Sequence, residues 1–321
     1  MEIKHSIIII CYNQEKFIKS ALDSLLLEEI KPFEIIIGDD CSSDETRDIL
    51  IDYKNKHPNI IKLVFNENNL GIFSNLNNVA FMATGDVISF LAGDDFFKPK
   101  FIENMNKTIL QLGLNPKIMK FALLPNIVLY SNGVENILSN NEVLLKKYSP
   151  TGLLLRGAIH TTNAGLSRAF YNDWPAYPED SSKIGPWVDF LHHMLHMQHC
   201  EKLIIMNCSG PVYRVGVGIA SRTGSKELAN SFYRAIVRVQ QSHLSGQLLL
   251  DRVDQEYLAF LIASWNASLY ASPASYFSLF RAAYRLLILD PSEFNFIIKE
   301  LTQSIRRTLS GCIKKMLSIS T

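Results

Sequence analysis

At 321 residues, 47% apolar and 20% charged, the chain is long enough to bury a full core and too apolar to be disordered. Its net charge of +1 hides a division: residues 226–321 hold 11 Lys+Arg against 7 Asp+Glu, leaving 21 against 24 in the rest, so a cationic tail follows an anionic body. Five cysteines (Cys11, Cys41, Cys200, Cys208, Cys312) form no CxxC pair and no closely spaced framework, which argues against an oxidising compartment. The start, MEIKHSIIII, carries Glu2 early and an apolar run too short for a signal peptide, so a cytoplasmic protein is expected.

Ile7–Ile10 is too short for a helix and wholly β-branched, and predicts a strand buried on both faces. Phe17, Ala21, Leu22, Leu25 and Leu26 then recur at helical spacing, with Lys31-Pro32 as the expected stop. Phe33–Ile37 predicts a second strand, Thr46–Lys56 a second helix, Ile60–Phe65 a third strand, Ser74–Ala83 a third helix and Asp86–Ala92 a fourth strand. A helix over Pro99–Leu112 and one or two strands within Ile118–Tyr130 follow. Residues 131–185, rich in Asn, Ser, Gly and Pro, read as irregular and as the place for an acceptor-binding region; Trp187–Gln198 reads as helix and Leu203–Met206 as strand.

From Lys226 onward the pattern is helical. The uncharged run Tyr257–Phe280 is long enough for a membrane span, but five Ser, Asn266 and Pro273 favour two packed helices meeting near Ser272-Pro273. Asp290-Pro291-Ser292-Glu293 has the order of a helix start. Residues 299–321 place Leu301, Ile305, Leu309, Ile313 and Met316 on one helical face beside Arg306, Arg307, Lys314 and Lys315, a pattern that suits either an anionic membrane surface or packing on the body of the protein.

Alternating strands and helices predict an α/β fold with a mostly parallel sheet flanked by helices, and ligands in such sheets bind at the carboxyl ends of the strands. The segments CYNQ, GDDCSSD and AGDD all fall there. No GxGxxG or GxxxxGK[ST] follows the first strand, which argues against a dehydrogenase or a P-loop ATPase. Two acidic pairs in one crevice would repel a bare diphosphate, whereas a hard divalent cation takes carboxylate oxygens and would bridge the two.

These segments, SIIIICYNQEKFIKSALDSL, FEIIIGDDCSSDET, NENNLGIFSNLNNVAFMATGDVISFLAGDD and FFKPKFIENM, resemble the nucleotide-binding half of glycosyltransferase family 2 enzymes with the GT-A fold. Weaker likeness runs to about Ser221 through WVDFLHHM and GPVYRV. The resemblance implies a GT-A-like, Rossmann-type sheet over residues 1–222, with nucleotide-sugar binding in 1–112 and acceptor binding and catalysis in 113–222. A C-terminal helical region, 223–321, follows.

Residue by residue, the resemblance implies that Tyr12, with Asn13 beside it, packs on the nucleotide base. Asp40, with Asp39 beside it, would bond the base or ribose, and Asn77 matches an Asn of the family pattern. Asp95 would be the metal ligand and Asp94 its neighbour on ribose or metal water. Ala92 stands where the family's leading Asp is common, which leaves the metal, Mn2+ or Mg2+, on fewer protein ligands. Asp189, before Phe190 in PWVDFLHH, matches the catalytic base of inverting members, with Asp180 and Asp173 in reserve. Arg214, or Arg222, would reach the diphosphate, with Gly216 and Gly218 where the family often has His.

The implied reaction moves a sugar from a UDP-, GDP- or dTDP-sugar to a hydroxyl of a glycan or lipid-linked saccharide, in bacterial O-antigen or capsule assembly on the cytoplasmic face of a membrane. No nucleic-acid partner is expected. A nucleotidyltransferase is the alternative enzyme, but it wants a Gly-rich, basic first loop. A non-catalytic zinc or membrane-bound scaffold is the other alternative: His192, His196 and His199 share one helical face in LHHMLHMQHC, without the Glu of an HExxH motif.

Overall fold

Ile7, Ile8 and Ile9 are all fully buried, which requires layers on both faces of their strand. In the computed structural model, which describes residues 2–139, 142–159, 164–174, 176–177, 185, 187–218, 223–270 and 273–303, that strand is β1 (His5–Cys11). It lies between two parallel neighbours, β2 (Glu34–Asp39) and β4 (Val87–Ala92), and β3 (Ile61–Phe65) continues the parallel array beyond β2. The crossovers carry α1 (Ile18–Leu26), α2 (Thr46–Lys56) and α3 (Ile72–Ala80).

α1 turns Ile18, Ala21, Leu22, Leu25 and Leu26 inward, into the cluster that also holds Ile7, Ile9, Ile35 and Ile37. Each large side chain buried there contributes about 1.5–3 kcal/mol. The helix ends at Leu26, before the expected Lys31-Pro32 stop. Glu28 and Glu29 follow the C-cap Leu27, where negative charge opposes the helix dipole, and the Glu28 carboxylate instead accepts the Lys100 N–H at 2.8 Å.

The chain continues through β5 (Phe96–Phe97), α4 (Phe101–Gln111), β6 (Phe121–Ser131), β7 (Val134–Leu138), a short 3-10 segment (Glu142–Lys146), α5 (Pro150–Leu155), β8 (Gly165–Ser167), α6 (Arg168–Tyr171), α7 (Val188–Met197) and β9 (Lys202–Arg214). Among the described residues the sheet has nine strands in the order β3-β2-β1-β4-β8-β6-β9-β5, with β7 paired to β6. β6 and β9 run parallel to each other, while β8 is antiparallel to both β4 and β6, and β5 to β9. The fold is thus α/β, with a mostly parallel sheet flanked by helices.

Two expectations need correction. The stretch 131–185 is not simply irregular. Asn132 and Gly133, both at positive φ, close a β6–β7 hairpin; Ser149 caps α5, with Pro150 at its first turn; and Ser167 caps α6. The strand expected over Leu203–Met206 runs on to Arg214, so the Tyr213-Arg214 pair ends a 13-residue strand. Gly210-Pro211 reads as a breaker in sequence, but β9 carries extra residues relative to β6 on either side of the Asn126–Ser209 pair, and pairing resumes at Val128–Val212.

The chain divides into two compact units, Met1–Leu228 and Ala229–Thr321. The first holds the sheet. The second is helical, with most of α8 (Ser225–Leu244), then α9 (Arg252–Tyr270), α10 (Pro273–Leu289), a 3-10 turn (Pro291–Glu293) and α11, residues 294–303. The uncharged run 257–280 is therefore two helices that pack on each other, and among the described residues no helix is long and apolar enough to cross a membrane. Asp290 caps the turn by accepting the Ser292 N–H at 3.2 Å, but the turn is 3-10 and α11 begins only after it.

Candidate active site

The loops after β1 and β2 are stitched into one wall. Asn13, at φ 51°, donates its N–H to Ser42 Oγ at 2.9 Å and accepts the Ser43 N–H at 2.8 Å. The Gln14 N–H donates to Thr46 Oγ1 at 2.8 Å and the Glu15 N–H to Asp44 Oδ2 at 3.1 Å. Tyr12 stands exposed on this wall.

A carboxylate offers about four acceptor positions, and Asp39 has filled them. Its Oδ2 accepts Arg47 Nε at 2.7 Å and the Ser42 N–H at 3.1 Å, while its Oδ1 accepts the Ser42 hydroxyl and, at 3.8 Å, the Cys11 thiol. Asp40 Oδ1 takes the Leu70 N–H at 2.8 Å and Asn66 Nδ2 at 3.0 Å, and its Oδ2 takes the Gly71 N–H at 2.8 Å, which leaves one position on Oδ2. Both are buried.

The second acidic pair is held differently. Its turn docks on the first wall through Gly93, whose N–H donates to Ile10 O at 3.0 Å. A Cβ at Gly93 would stand 2.1 Å from Gln14 Oε1 and 2.9 Å from Cys11 Cβ, so only glycine allows this approach. Arg214, at the end of β9, braces the turn from the other side. Its Nη1 donates to Asp94 O, its Nη2 to Ser20 Oγ at 2.7 Å, and its guanidinium lies 4.5 Å from the Phe96 ring centre and 5.4 Å from that of Phe17.

Asp95 is buried and accepts the Arg214 N–H at 2.9 Å on Oδ1. Burial pushes its carboxyl up to about 7; the Arg214 N–H pulls it back and the Asp94 charge raises it again. A methyl group on Gly218 would lie 3.3 Å from Asp94 Oδ2 and 3.9 Å from Tyr213 Oη, so carboxylate and hydroxyl converge beside that glycine. The Tyr213 hydroxyl is held above its ordinary range by burial and then by Asp95, Asp94 and Asp189 in turn. Asp189, in the first turn of α7, accepts the Phe190 N–H at 2.7 Å, and burial pushes its carboxyl up to about 6.

The structure therefore brings Asp94, Asp95 and Arg214 together, with Asp189 within electrostatic reach of the same tyrosine. Tyr12, Asn13, Asp39 and Asp40 belong to the adjoining wall. Asn77 is spent on main chain: its Nδ2 donates to Tyr177 O at 3.0 Å and its Oδ1 accepts the Tyr177 N–H at 2.9 Å. Asp173 pairs with Lys120 at 2.7 Å. Asp180, Arg222 and residues 304–321 lie outside the described residues.

The zinc expectation meets an aromatic cluster. His192 stacks on Tyr177 at 3.8 Å between ring centres, His196 stacks on Phe170 at 3.9 Å, and Trp174 packs against both. Among the described residues no group of three His, Cys, Asp or Glu is disposed to hold a metal. Sequence reasoning passed over Tyr213, Gly93 and Ser20. Only Tyr213 left a signal, as the aromatic before Arg214.

Comparison with known proteins bears on this wall and turn directly. The family model described as "Glycosyl transferase family 2" matches residues 6–115, which carry both acidic pairs. This part of the chain is thus similar to glycosyltransferase family 2.

A putative glycosyltransferase of Bacillus subtilis, EpsE, is 35% identical over 100 residues, 31% of this chain and 36% of that protein. An uncharacterized Mycobacterium tuberculosis protein is 27% identical over 192 residues, 60% of this chain and 53% of that one. The chain thus spans about half the length, or less, of the curated relatives it matches. Among solved structures, TarS from S. aureus superposes with a TM-score of 0.62 at 18% identity, over 95% of this chain and 54% of that one. A mannosyltransferase from Pyrobaculum calidifontis, in complex with GDP-Man and Mn2+, gives 0.54 at 15% identity over 96% and 88%. These likenesses establish a GT-A fold.

Proposed function

We propose that this chain is a divalent-cation-dependent, inverting glycosyltransferase. In this reading it moves a sugar from a nucleoside-diphosphate sugar to a hydroxyl of a glycan or lipid-linked saccharide, in the assembly of bacterial surface polysaccharide. The observation that carries it is the convergence of Asp94, Asp95 and Asp189 on Tyr213, beside the wall that bears Tyr12 and Asp40. TarS has been solved with UDP-GlcNAc and the mannosyltransferase with GDP-Man and Mn2+, which supports a nucleotide-sugar donor and a cation.

In this reading Tyr12 packs on the base and the remaining acceptor position of Asp40 receives a nucleoside N–H or hydroxyl. Asn13, Asp39 and Asn77 hold the chain around them, and Arg214 fixes Asp94 from behind. Asp95 and Asp94 fit a hard divalent cation. Arg214 offsets the buried Asp95 charge only in part, and such ions take one or two carboxylates and complete their shell from phosphate oxygens and water. When bound, that ion supplies Lewis-acid stabilisation of the departing diphosphate.

Asp189 acts as base. It takes the proton of the acceptor hydroxyl as that oxygen bonds to the anomeric carbon and the bond from this carbon to the phosphate oxygen breaks. One base and one displacement invert the anomeric centre. The test is release of nucleoside diphosphate from UDP-, GDP- and dTDP-sugars with Mn2+ or Mg2+, by wild type, Asp95→Ala and Asp189→Asn. Sugar-nucleotide-dependent turnover lost in both variants is expected; no turnover with any donor and a panel of glycan acceptors overturns the reading.

A further inference from the structure

α10 is apolar on two sides. Leu279, Ala282, Ala283 and Leu286 form its buried side. On the other, Phe277, Phe280, Tyr284 and Ile288 are 70, 50, 66 and 61% exposed. At 3.6 residues per turn these four fall within an arc of roughly 80°, opposite the buried four. An ordinary surface helix puts polar residues there. α11 repeats the pattern, with Phe294 and Ile298 exposed one turn apart while Ile297 is buried.

The charges beside the stripe have one sign. Across Pro273–Leu289 the charged residues are Arg281 and Arg285, both exposed and both on one flank of the aromatic arc. No Asp or Glu occurs in that span. Arg285 Nη1 reaches Glu256, 3.9 Å away on α9, where screening by water leaves little net energy. Of the charged side chains on α11, Lys299 is exposed, while Glu300 is half-buried with its carboxylate 3.4 Å from Ser264 Oγ on α9.

We propose that this face of α10 docks on the surface of an anionic phospholipid bilayer, with Phe277, Phe280, Tyr284 and Ile288 entering the headgroup region and Arg281 and Arg285 meeting lipid phosphates. Rings of this kind suit an interface that is apolar on one side and wet on the other, and each cation near an anionic leaflet strengthens the attachment. A second copy of the chain fits less well. A two-fold contact through this face sets Arg281 and Arg285 against their own copies with no carboxylate on the face to offset them. The inference concerns the second unit alone and does not depend on the transferase reading of the first.

The test uses the full chain in vesicle flotation with phosphatidylglycerol-phosphatidylcholine and with pure phosphatidylcholine vesicles. Wild type is expected to float with the anionic vesicles and to lose at least tenfold of that binding in Phe277→Ser/Phe280→Ser/Tyr284→Ser and in Arg281→Gln/Arg285→Gln. These side chains are exposed, so thermal midpoints should hold. As a second readout, Tyr284→Trp should add a blue-shifted emission component on mixing with anionic vesicles, relative to the wild-type spectrum. No flotation of wild type overturns the proposal, as do undiminished binding by the triple variant and an added indole emission that stays unshifted on mixing. A concentration-dependent dimer in light scattering that the triple variant abolishes assigns the face to a second copy and also overturns it. Release of nucleoside diphosphate with a soluble acceptor, measured on the same variants, should be unchanged, which separates failure here from failure of the transferase reading.

Discussion

The two Asp-Asp pairs have the same sequence grammar, each ending a buried parallel strand, yet the molecule treats them in opposite ways. Asp39 and Asp40 give seven of their roughly eight acceptor positions to their own chain, to Ser42, Arg47, Cys11, Asn66, Leu70 and Gly71. For Asp95 the structure gives one hydrogen bond, the Arg214 N–H, and its burial has pushed its carboxyl up to about 7. A carboxylate saturated by its surroundings organises loops. One that is buried and undersupplied stores a demand for a cation or a proton.

The largest expected break in that comparison is Asp189→Asn. General-base help is worth about 10²- to 10⁴-fold, so kcat should fall by that factor, and the acidic limb of the wild-type pH profile, falling as pH drops through about 6, should disappear. Asp95→Asn should cost turnover while adding stability in chelator. The folded chain holds this proton more tightly than the unfolded chain, so the carboxyl favours folding below about pH 4 and loses that contribution as pH rises through about 7. Variant and wild type should therefore unfold alike at about pH 4, and the variant should gain up to about 4 kcal/mol at about pH 8 in urea titrations.

Asp39→Asn sharpens the contrast in the other direction. It removes the partner of Arg47 and should lower stability by about 3 kcal/mol, with kcat of the folded fraction within a few-fold of wild type. The smallest effect belongs to Asp40→Asn, where one hydrogen bond to the donor is at stake: KM for the nucleotide sugar should rise about tenfold at nearly constant kcat. If Asp39→Asn abolishes turnover without destabilising the chain, the division of labour between the pairs is wrong.

The first half of the sheet was legible because its strands are continuous β-branched runs and its helices have a clear apolar stripe; α2 appears at its expected bounds, Thr46–Lys56. The second half hid for physical reasons. β8 is three residues long and has no room for a period, and β9 runs through Gly210-Pro211, where its register against β6 shifts. The Asn132-Gly133 turn was readable as a hairpin signal and was passed over. In the site, both acidic pairs were visible as residues, but the difference between them was not. Acceptor saturation depends on main-chain N–H groups such as those of Leu70 and Gly71, which carry no sequence signature.

The contact between Arg214 and Ser20 ties together residues 194 positions apart. During synthesis the first four strands and α1 can pair as soon as they emerge, since their contacts are comparatively local, but the turn bearing Asp94 acquires its brace only when β9 has been made. A nascent or truncated chain ending before Lys202 would thus have the wall bearing Asp39 and Asp40 and lack a fixed second acidic pair, so the site is completed late in biogenesis, when β9 is made.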